Sequence, residues 1–303
     1  MTDSIRAHAK VNLHLEVLNR RDDGYHAILS LMASVALHDL LKLEESTVRE
    51  LSGGIDIAVA VRGAGGTHGG VIDAIPAHEN LIARAATLYC ERAGLNGAAV
   101  YSIVKNIPAG AGLGGGSSDA AAALKLINGR LGRFTDEGLA EIGVKIGADV
   151  PYCLHGGFAI CRGIGEIIMP VPGKLKSWVL IINDGIHVDT GQAYRSLKRG
   201  AGIDPAREAE VGKTIRRITM ALSSGSPEAL KEAAKNDFET PVFGQYPEIG
   251  RIKEALYGCG AGFAIMTGSG SSVVGLFAEK DAAERAQARL GKKYREAILT
   301  RFV

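Results

Sequence analysis

The residues Lys105-Asn106-Ile107-Pro108-Ala109-Gly110-Ala111-Gly112-Leu113-Gly114-Gly115-Gly116-Ser117-Ser118-Asp119 form the segment of this chain richest in possible chemistry. Five glycines fall within the seven positions 110–116, between a β-rich run and an alanine-rich run. Glycine has no Cβ to hold a ligand off, and it reaches positive φ without strain. A helix that starts after such a run offers unpaired N–H groups and the positive end of its dipole. Together these features bind phosphate. Ser117 and Ser118 are placed to cap that helix, and one hydroxyl can also reach a phosphate or Mg2+. In Gly147-Ala148-Asp149-Val150-Pro151-Tyr152 a single carboxylate sits among apolar neighbours. Asp149 there is either the cap of a turn or a catalytic carboxylate in a site that excludes water. Met266-Thr267-Gly268-Ser269-Gly270-Ser271-Ser272 joins two strand-like runs, as a plain hairpin or as a second backbone cradle for an anion.

Two nucleotide-binding signatures are present only in part. Gly110, Gly112 and Gly115 satisfy G-x-G-x-x-G, but the dinucleotide fold also needs an acidic residue after a second strand about 20 residues on. That span reads here as a long helix followed by Gly-Arg-Leu-Gly-Arg-Phe-Thr. Gly212-Lys213-Thr214 ends like a Walker A loop, but position 207 is arginine and the triplet lies inside a helical pattern.

Several elements must position these groups. Val11, Leu13, Leu15 and Val17 alternate with Asn12, His14 and Glu16, which predicts a strand from Lys10 to Leu18 with one buried face. Asp22-Asp23-Gly24-Tyr25-His26 reads as a turn. Val35–Leu43, Ile55–Val61, Ala98–Lys105, Phe158–Cys161, Trp178–Ile182, Phe263–Met266, Val273–Phe277 and Ala297–Phe302 are further strands. Asn80 caps a helix that runs to Arg92 and stops at Gly94. Helices are also expected over about 118–128, around Leu139–Ile146, and over 208–222, 227–236, 248–257 and 281–290. The segments 63–70 and 147–157 read as loops, the first a mobile surface loop. Strands and helices mixed without strict alternation give an α+β class in two domains. Pro170-Val171-Pro172-Gly173 is the linker, so the expected domains are 1–171 and 172–303.

Composition removes several function classes. Thirty-five basic against 33 acidic residues leave a net charge of +2, too balanced for a nucleic-acid coat or a polybasic membrane binder. Aromatics are 5% of the 303 residues, few for stacking on single strands. Glycine is in excess, at 40 residues against a usual ~7%. Cys90, Cys153, Cys161 and Cys259 show neither C-x-x-C nor zinc spacing and are expected as reduced thiols in a cytoplasmic protein. The N-terminus lacks an apolar signal region, and no run approaches a membrane span.

Taken together, the motifs resemble the GHMP kinases. The supporting stretches are Ala9-Lys10-Val11-Asn12-Leu13, Arg21-Asp22-Asp23-Gly24-Tyr25-His26, Glu79-Asn80-Leu81-Ile82, Pro108 to Ser118, Gly147 to Pro151, and Asn236-Asp237-Phe238-Glu239. The resemblance covers about residues 9–277, and its specific parts are the triple-glycine loop and the Gly24-Tyr25-His26 turn. Val274 stands where an aromatic is often expected. Within the superfamily the likeness is greatest to kinases whose substrate carries a cytidine diphosphate group. It implies an N-terminal domain like domain 2 of ribosomal protein S5 and a ferredoxin-like C-terminal domain, with the active site in a cleft between them. It further implies transfer of the γ-phosphoryl of ATP, with Mg2+, to an alcohol of a small molecule, and neither nucleic acid nor membrane as partner. By resemblance Asp149 is the base and Lys10 the catalytic lysine. Pro108, Ala109, Gly110, Ala111, Gly112, Leu113, Gly114, Gly115, Gly116, Ser117 and Ser118 hold the phosphates. Asn80, Leu81 and Lys105 lie near adenine. Asn12, Tyr25, His26, Thr190, Tyr194, Gly268 and Gly270 face the substrate, with Tyr25 and Tyr194 stacking on cytosine. No protein metal ligand stands out besides Asp149.

Overall fold

The computed structural model describes residues 3–49, 57–63, 65–68, 76, 79–173, 175–202 and 205–303. The chain forms two compact units. One comprises Met1–Ala9, Leu37–Ala109 and Gly114–Gly156; the other comprises Lys10–Ala36, Gly110–Leu113 and Gly157–Val303. Two long strands, β1 (Ser4–Arg20) and β2 (His26–Ser46), contribute to both.

In the first unit, β4 (Gly97–Val104) pairs antiparallel with the second half of β2 and parallel with β3 (Ile57–Gly63). Leu41 opposes Ile103 and Leu43 opposes Tyr101, before a bulge between Leu43 and Glu45. Among the described residues, four helices accompany this sheet: α1 (Leu81–Ala93), α2 (Gly115–Leu131), α3 (Asp136–Ile146) and α4 (Val150–His155). Asn80 caps α1 by accepting from Ile82 N at 2.9 Å, and Gly94 closes it in the left-handed region, as the sequence predicts. Ala120–Ala123 of α2 are all buried. Side chains this small let the helix come close to its neighbours on several sides, and every residue of α2 from Ser118 to Leu124 is buried. The alanines join Leu41, Leu43, Tyr101, Ile103, Ala85 and Tyr89 in one core.

In the second unit, β5 (Phe158–Arg162) pairs with the first half of β2, and β6 (Ile167–Pro170) folds back on β5. A separate antiparallel sheet has the order β10–β7–β9–β8, from β7 (Trp178–Asn183), β8 (Phe263–Met266), β9 (Val273–Phe277) and β10 (Glu296–Arg301). Among the described residues, six helices belong here: α5 (Thr190–Ser196), α6 (Pro205–Ser224), α7 (Pro227–Ala233), α8 (Glu239–Gln245), α9 (Pro247–Gly258) and α10 (Lys280–Leu290). A β-α-β-β-α-β succession in this strand order is the ferredoxin-like arrangement, as expected. The α+β class holds.

Several sequence expectations need correction. The segment 147–157 contains the short helix α4, and β6, α5 and α8 were not foreseen. Elements of four to seven residues are too short to show a period. β1 is buried on both faces from Ala9 to Asn19, not on one, because its polar residues meet partners in the second unit. Helix α2 starts at Gly115 and runs through Gly129 to Leu131. The described residues 65–68 are tied to Lys105: Lys105 N donates to Gly65 O at 3.0 Å and His68 N to Lys105 O at 2.8 Å. A Cβ on Gly66 would lie 2.4 Å from Lys105 O. This part is thus fixed rather than a mobile surface loop; the rest of the Gly63–Gly70 loop lies partly outside the described residues. The Gly212-Lys213-Thr214 triplet lies within α6, as expected for a helix.

Candidate active site

The first unit holds the far end of the glycine run and the start of α2. Gly114 is the N-cap at φ 67° with no side-chain cap bond. Ser117 and Ser118 therefore lie in the first turn and do not cap it. Ser118 instead donates through Oγ to His8 O at 2.8 Å. Gly115 and Gly116 are glycines for want of room. A Cβ at Gly115 would sit 3.0 Å from both Lys105 Nζ and Ile107 Cγ2, and one at Gly116 would sit 3.2 Å from Leu81 Cδ1. The structure thus brings Leu81, and Asn80 before it, to the first turn of α2. The first-turn N–H groups have no intrahelical partner, so this end suits an anion.

Beneath it lies a buried ion triad. Lys105 Nζ pairs with Asp39 and, at 2.7 Å, with Asp119. Asp39 Oδ1 also accepts from Asn106 N at 2.5 Å and Ile107 N at 2.9 Å. The triad ties β2, the entry to the glycine run and the first turns of α2 together. Burial pushes the Asp119 carboxyl up to about 8; Lys105 opposes that shift and Asp39 adds to it. One cation shared between two buried carboxylates explains the direction: desolvation and the neighbouring Asp39 outweigh the pull of Lys105 on Asp119. Burial would lower the Lys105 ammonium, but Asp119 and Asp39 outweigh it and raise it. The ammonium and both backbone polar groups of Lys105 have protein partners, so it could line an adenine pocket only through its carbon chain. Asp39 was missed from sequence; its signal is a lone aspartate in the apolar run Val35–Leu43.

Asp149 is the residue before α4 and is half-buried. Its side chain makes no capping hydrogen bond to that helix.

In the second unit, Lys10 is buried, not a solvated strand-edge lysine. Its Nζ donates to Asn12 Oδ1 at 2.7 Å, Asn12 Nδ2 donates to Ser30 Oγ at 2.8 Å, and Ser30 Oγ donates to His14 O at 2.7 Å. The turn after β8 closes on this row. Asn12 N donates to Thr267 Oγ1 at 2.9 Å, and that hydroxyl lies 3.3 Å from Gly112 O. Lys10 N donates to Leu113 O at 3.0 Å. Residues Gly110–Leu113 are thus clasped by β1 and the late turn. Gly110 and Gly112 have φ of 66° and 75°, Gly268 and Gly270 of 59° and 99°. Ala111 and Leu113 point inward, while Pro108 is buried and Ala109 exposed. Thr190 Oγ1 meets Ser269 Oγ at 2.8 Å.

Gly112 is the tightest point. A Cβ there would lie 2.5 Å from Thr267 O and 2.9 Å from Gly270 O. Gly112→Ala is expected to displace the run and to cost about 1–3 kcal/mol, as overpacking does, seen as ATP affinity about 5- to 150-fold weaker. Calorimetric titration of the folded variant with ATP checks this, and an unchanged Kd would contradict it.

Tyr25 is 60% exposed. The ring lying against Tyr194 is His26, stacked at 4.9 Å and 26°. Burial, with Arg20 nearby, lowers the pKa of His26, which favours the neutral imidazole, with one donor and one acceptor nitrogen. Phe238 and Tyr194 meet edge to face at 4.8 Å.

The family descriptions "GHMP kinases N terminal domain" and "GHMP kinases C terminal" match residues 80–157 and 219–296. The chain is 36% identical to the 4-diphosphocytidyl-2-C-methyl-D-erythritol kinase of Symbiobacterium thermophilum, covering 98% of each. It is 37% identical to the kinase of the same name from Syntrophotalea carbinolica, covering 96% of this chain and 95% of that one. A crystal structure of 4-(cytidine 5′-diphospho)-2C-methyl-D-erythritol kinase superposes with a TM-score of 0.72 at 33% identity, covering 99% of this chain and 98% of that one. A homoserine kinase from Cytophaga hutchinsonii gives the same TM-score at 20% identity, a likeness of fold alone. With similarity running the whole length and both kinase domains matched, the chain belongs to the GHMP kinases, as a small-molecule kinase of the 4-diphosphocytidyl-2-C-methyl-D-erythritol kinase family.

Proposed function

We propose that the enzyme transfers the γ-phosphoryl group of ATP to the 2-hydroxyl of 4-diphosphocytidyl-2-C-methyl-D-erythritol, releasing ADP and the 2-phosphate. This is a step of the non-mevalonate route to isoprenoid precursors. The observation that carries the reading is the full-length similarity to kinases of that name. The buried Lys10–Asn12 pair and the clasped glycine run support it. In this reading Asp149 accepts the proton that the hydroxyl loses. Lys10 steadies the attacking oxygen through its charge, and Asn12, fixed between Lys10 and Ser30, orients the sugar-alcohol end. Gly110–Ser118 cradle the β- and γ-phosphates by their backbone N–H groups. Asn80 and Leu81 border the adenine, while Tyr25, His26 and Tyr194 take the cytosine, with Thr190, Gly268 and Gly270 beside them.

The described residues contain no group of three or more His, Cys, Asp or Glu side chains able to hold a metal. In this reading Mg2+ would be carried on the nucleotide phosphates, where it would neutralise charge, with Ser117 as a hydroxyl able to reach it. No helix among the described residues is long and apolar enough to cross a membrane, and a cytoplasmic site of action belongs to this proposal. So does a division into domains at 1–171 and 172–303.

Homoserine and mevalonate kinases share the fold at 20% and 15% identity. ADP release measured with the cytidyl substrate, homoserine and mevalonate side by side separates the readings. We expect the cytidyl substrate to exceed the others in kcat/KM by more than about a hundredfold, since sites built around specific polar groups reject analogues that lack them. Faster turnover of homoserine or mevalonate would overturn the assignment.

A further inference from the structure

The run Asn236-Asp237-Phe238-Glu239 follows α7 and opens α8, and each of its side chains holds a different piece of the second unit. Asn236 donates through Nδ2 to Met266 O at 2.6 Å and to Gly268 O at 2.8 Å, and accepts from Phe238 N at 2.9 Å. Glu239 accepts from Met266 N at 2.9 Å and pairs with Lys253 at 2.6 Å. The late turn, whose Thr267 receives Asn12 N, is therefore held from both residues that flank Thr267. Asp237 accepts from Val17 N at 3.0 Å and pairs with Arg199 at 2.8 Å and Lys235 at 3.0 Å. Two backbone bonds reinforce that hold on β1: Leu15 N to Lys235 O at 2.8 Å and Asp237 N to Leu15 O at 2.9 Å. Phe238 sets its ring edge-on to Tyr194, whose ring stacks on His26. Asn236 and Phe238 are 4% and 1% exposed, so neither acts by touching a ligand.

We infer that this run is the positioning unit of the substrate side: Asn236 sets the late turn, and Phe238 sets the Tyr194–His26 pair and with it the affinity for the pyrimidine ring. The Phe238 role rests on the reading of Tyr194 and His26 as the base site. A buried edge-to-face contact restricts the tilt of Tyr194 about its χ angles, and the flat face offered to a base depends on that tilt.

Calorimetric titration with cytidine 5′-diphosphate and, separately, with ATP tests the inference on Phe238→Leu, which keeps an apolar side chain in the core. The expected result is a Kd for the cytidine nucleotide weakened about 2- to 13-fold, the span of an aromatic pair, with the ATP Kd unchanged. In a Tyr194→Ala background the same substitution should add nothing, because its effect runs through that ring. Equal weakening for both nucleotides, or full additivity with Tyr194→Ala, would overturn the role of Phe238. If Tyr194→Ala weakens cytidine binding and Phe238→Leu does not, the inference fails and the base site stands. If Tyr194→Ala itself leaves cytidine binding unchanged, the base-site reading fails and takes the role of Phe238 with it. Asn236→Asp keeps the size of the side chain but cannot donate to the two carbonyls. It should lower kcat at least about tenfold, the effect of losing one net hydrogen bond to each buried carbonyl, while the cytidine Kd stays within about twofold. An unchanged kcat would remove Asn236 from the positioning unit. The Phe238 measurements stand whether or not Asn236→Asp folds.

Discussion

Asp149→Asn should lower kcat by about 10²–10⁴, the usual contribution of a positioned general base, with ATP affinity near that of the parent. Asparagine has the same shape but no proton affinity in the relevant range, so the substitution removes the chemistry and leaves the volume. With the side-chain volume kept, the thermal midpoint is expected to change little. That separates this outcome from a structural one, in which a capping aspartate is lost. Single-turnover transfer with saturating ATP, alongside an ATP titration, checks both halves. Turnover at the parent rate would return Asp149 to the role of a turn residue.

Lys105→Met is expected to give the largest loss of stability. It removes the one cation between Asp39 and Asp119, all three being buried. Breaking a buried ion pair from one side typically costs about 3–5 kcal/mol, because the remaining charge has no water to replace its partner. The value should fall at the lower end, since Asp119 already holds its proton up to about 8 and can stay neutral. The loss should also depend on pH. Without Lys105 the Asp119 carboxyl loses the cation that opposes its upward shift, so it stays protonated to higher pH in the folded variant than in the folded parent. The stability carried by its raised pKa is fully present below the unfolded carboxylate range and declines as pH rises through the raised folded value. The gap in thermal midpoint between variant and parent should therefore widen from pH 5.5 to pH 8.5. A gap that is constant or narrows on raising the pH would mean that the triad does not govern this core.

Much of the site was legible because it follows from neighbours in the chain. Asn80 opens α1 through its side-chain oxygen, and Gly94 closes it because glycine takes the left-handed backbone without strain. The glycine run between β4 and α2 was legible as backbone of positive φ with room for close approach, because positive φ and the absence of Cβ are properties of single residues. The ferredoxin-like half followed from the resemblance and not from the pattern, which gave only strands and helices in order. Short elements escaped: α4, α8 and β6 have too few residues to show a period.

What the sequence by itself determined was therefore local: the glycine run before α2, the alternation of β1, the caps of α1, and the α+β class. Only the tertiary structure decided what those pieces meet. Asn12 N finds Thr267 across 255 positions, and Lys105 finds Asp39 across 66. The same folding overrode two local readings. Alternation in β1 predicted a wet face, but partners brought from Ser30, Lys235 and Thr267 let Asn12, His14 and Glu16 be buried. Serines after glycines predicted a cap, but His8 O took the Ser118 hydroxyl, and the space left by Lys105, Ile107 and Leu81 let two glycines begin the helix. The physical reason is common to all of these. Propensity and periodicity act through adjacent residues, whereas burial and hydrogen-bond satisfaction depend on chain segments that only the fold brings together.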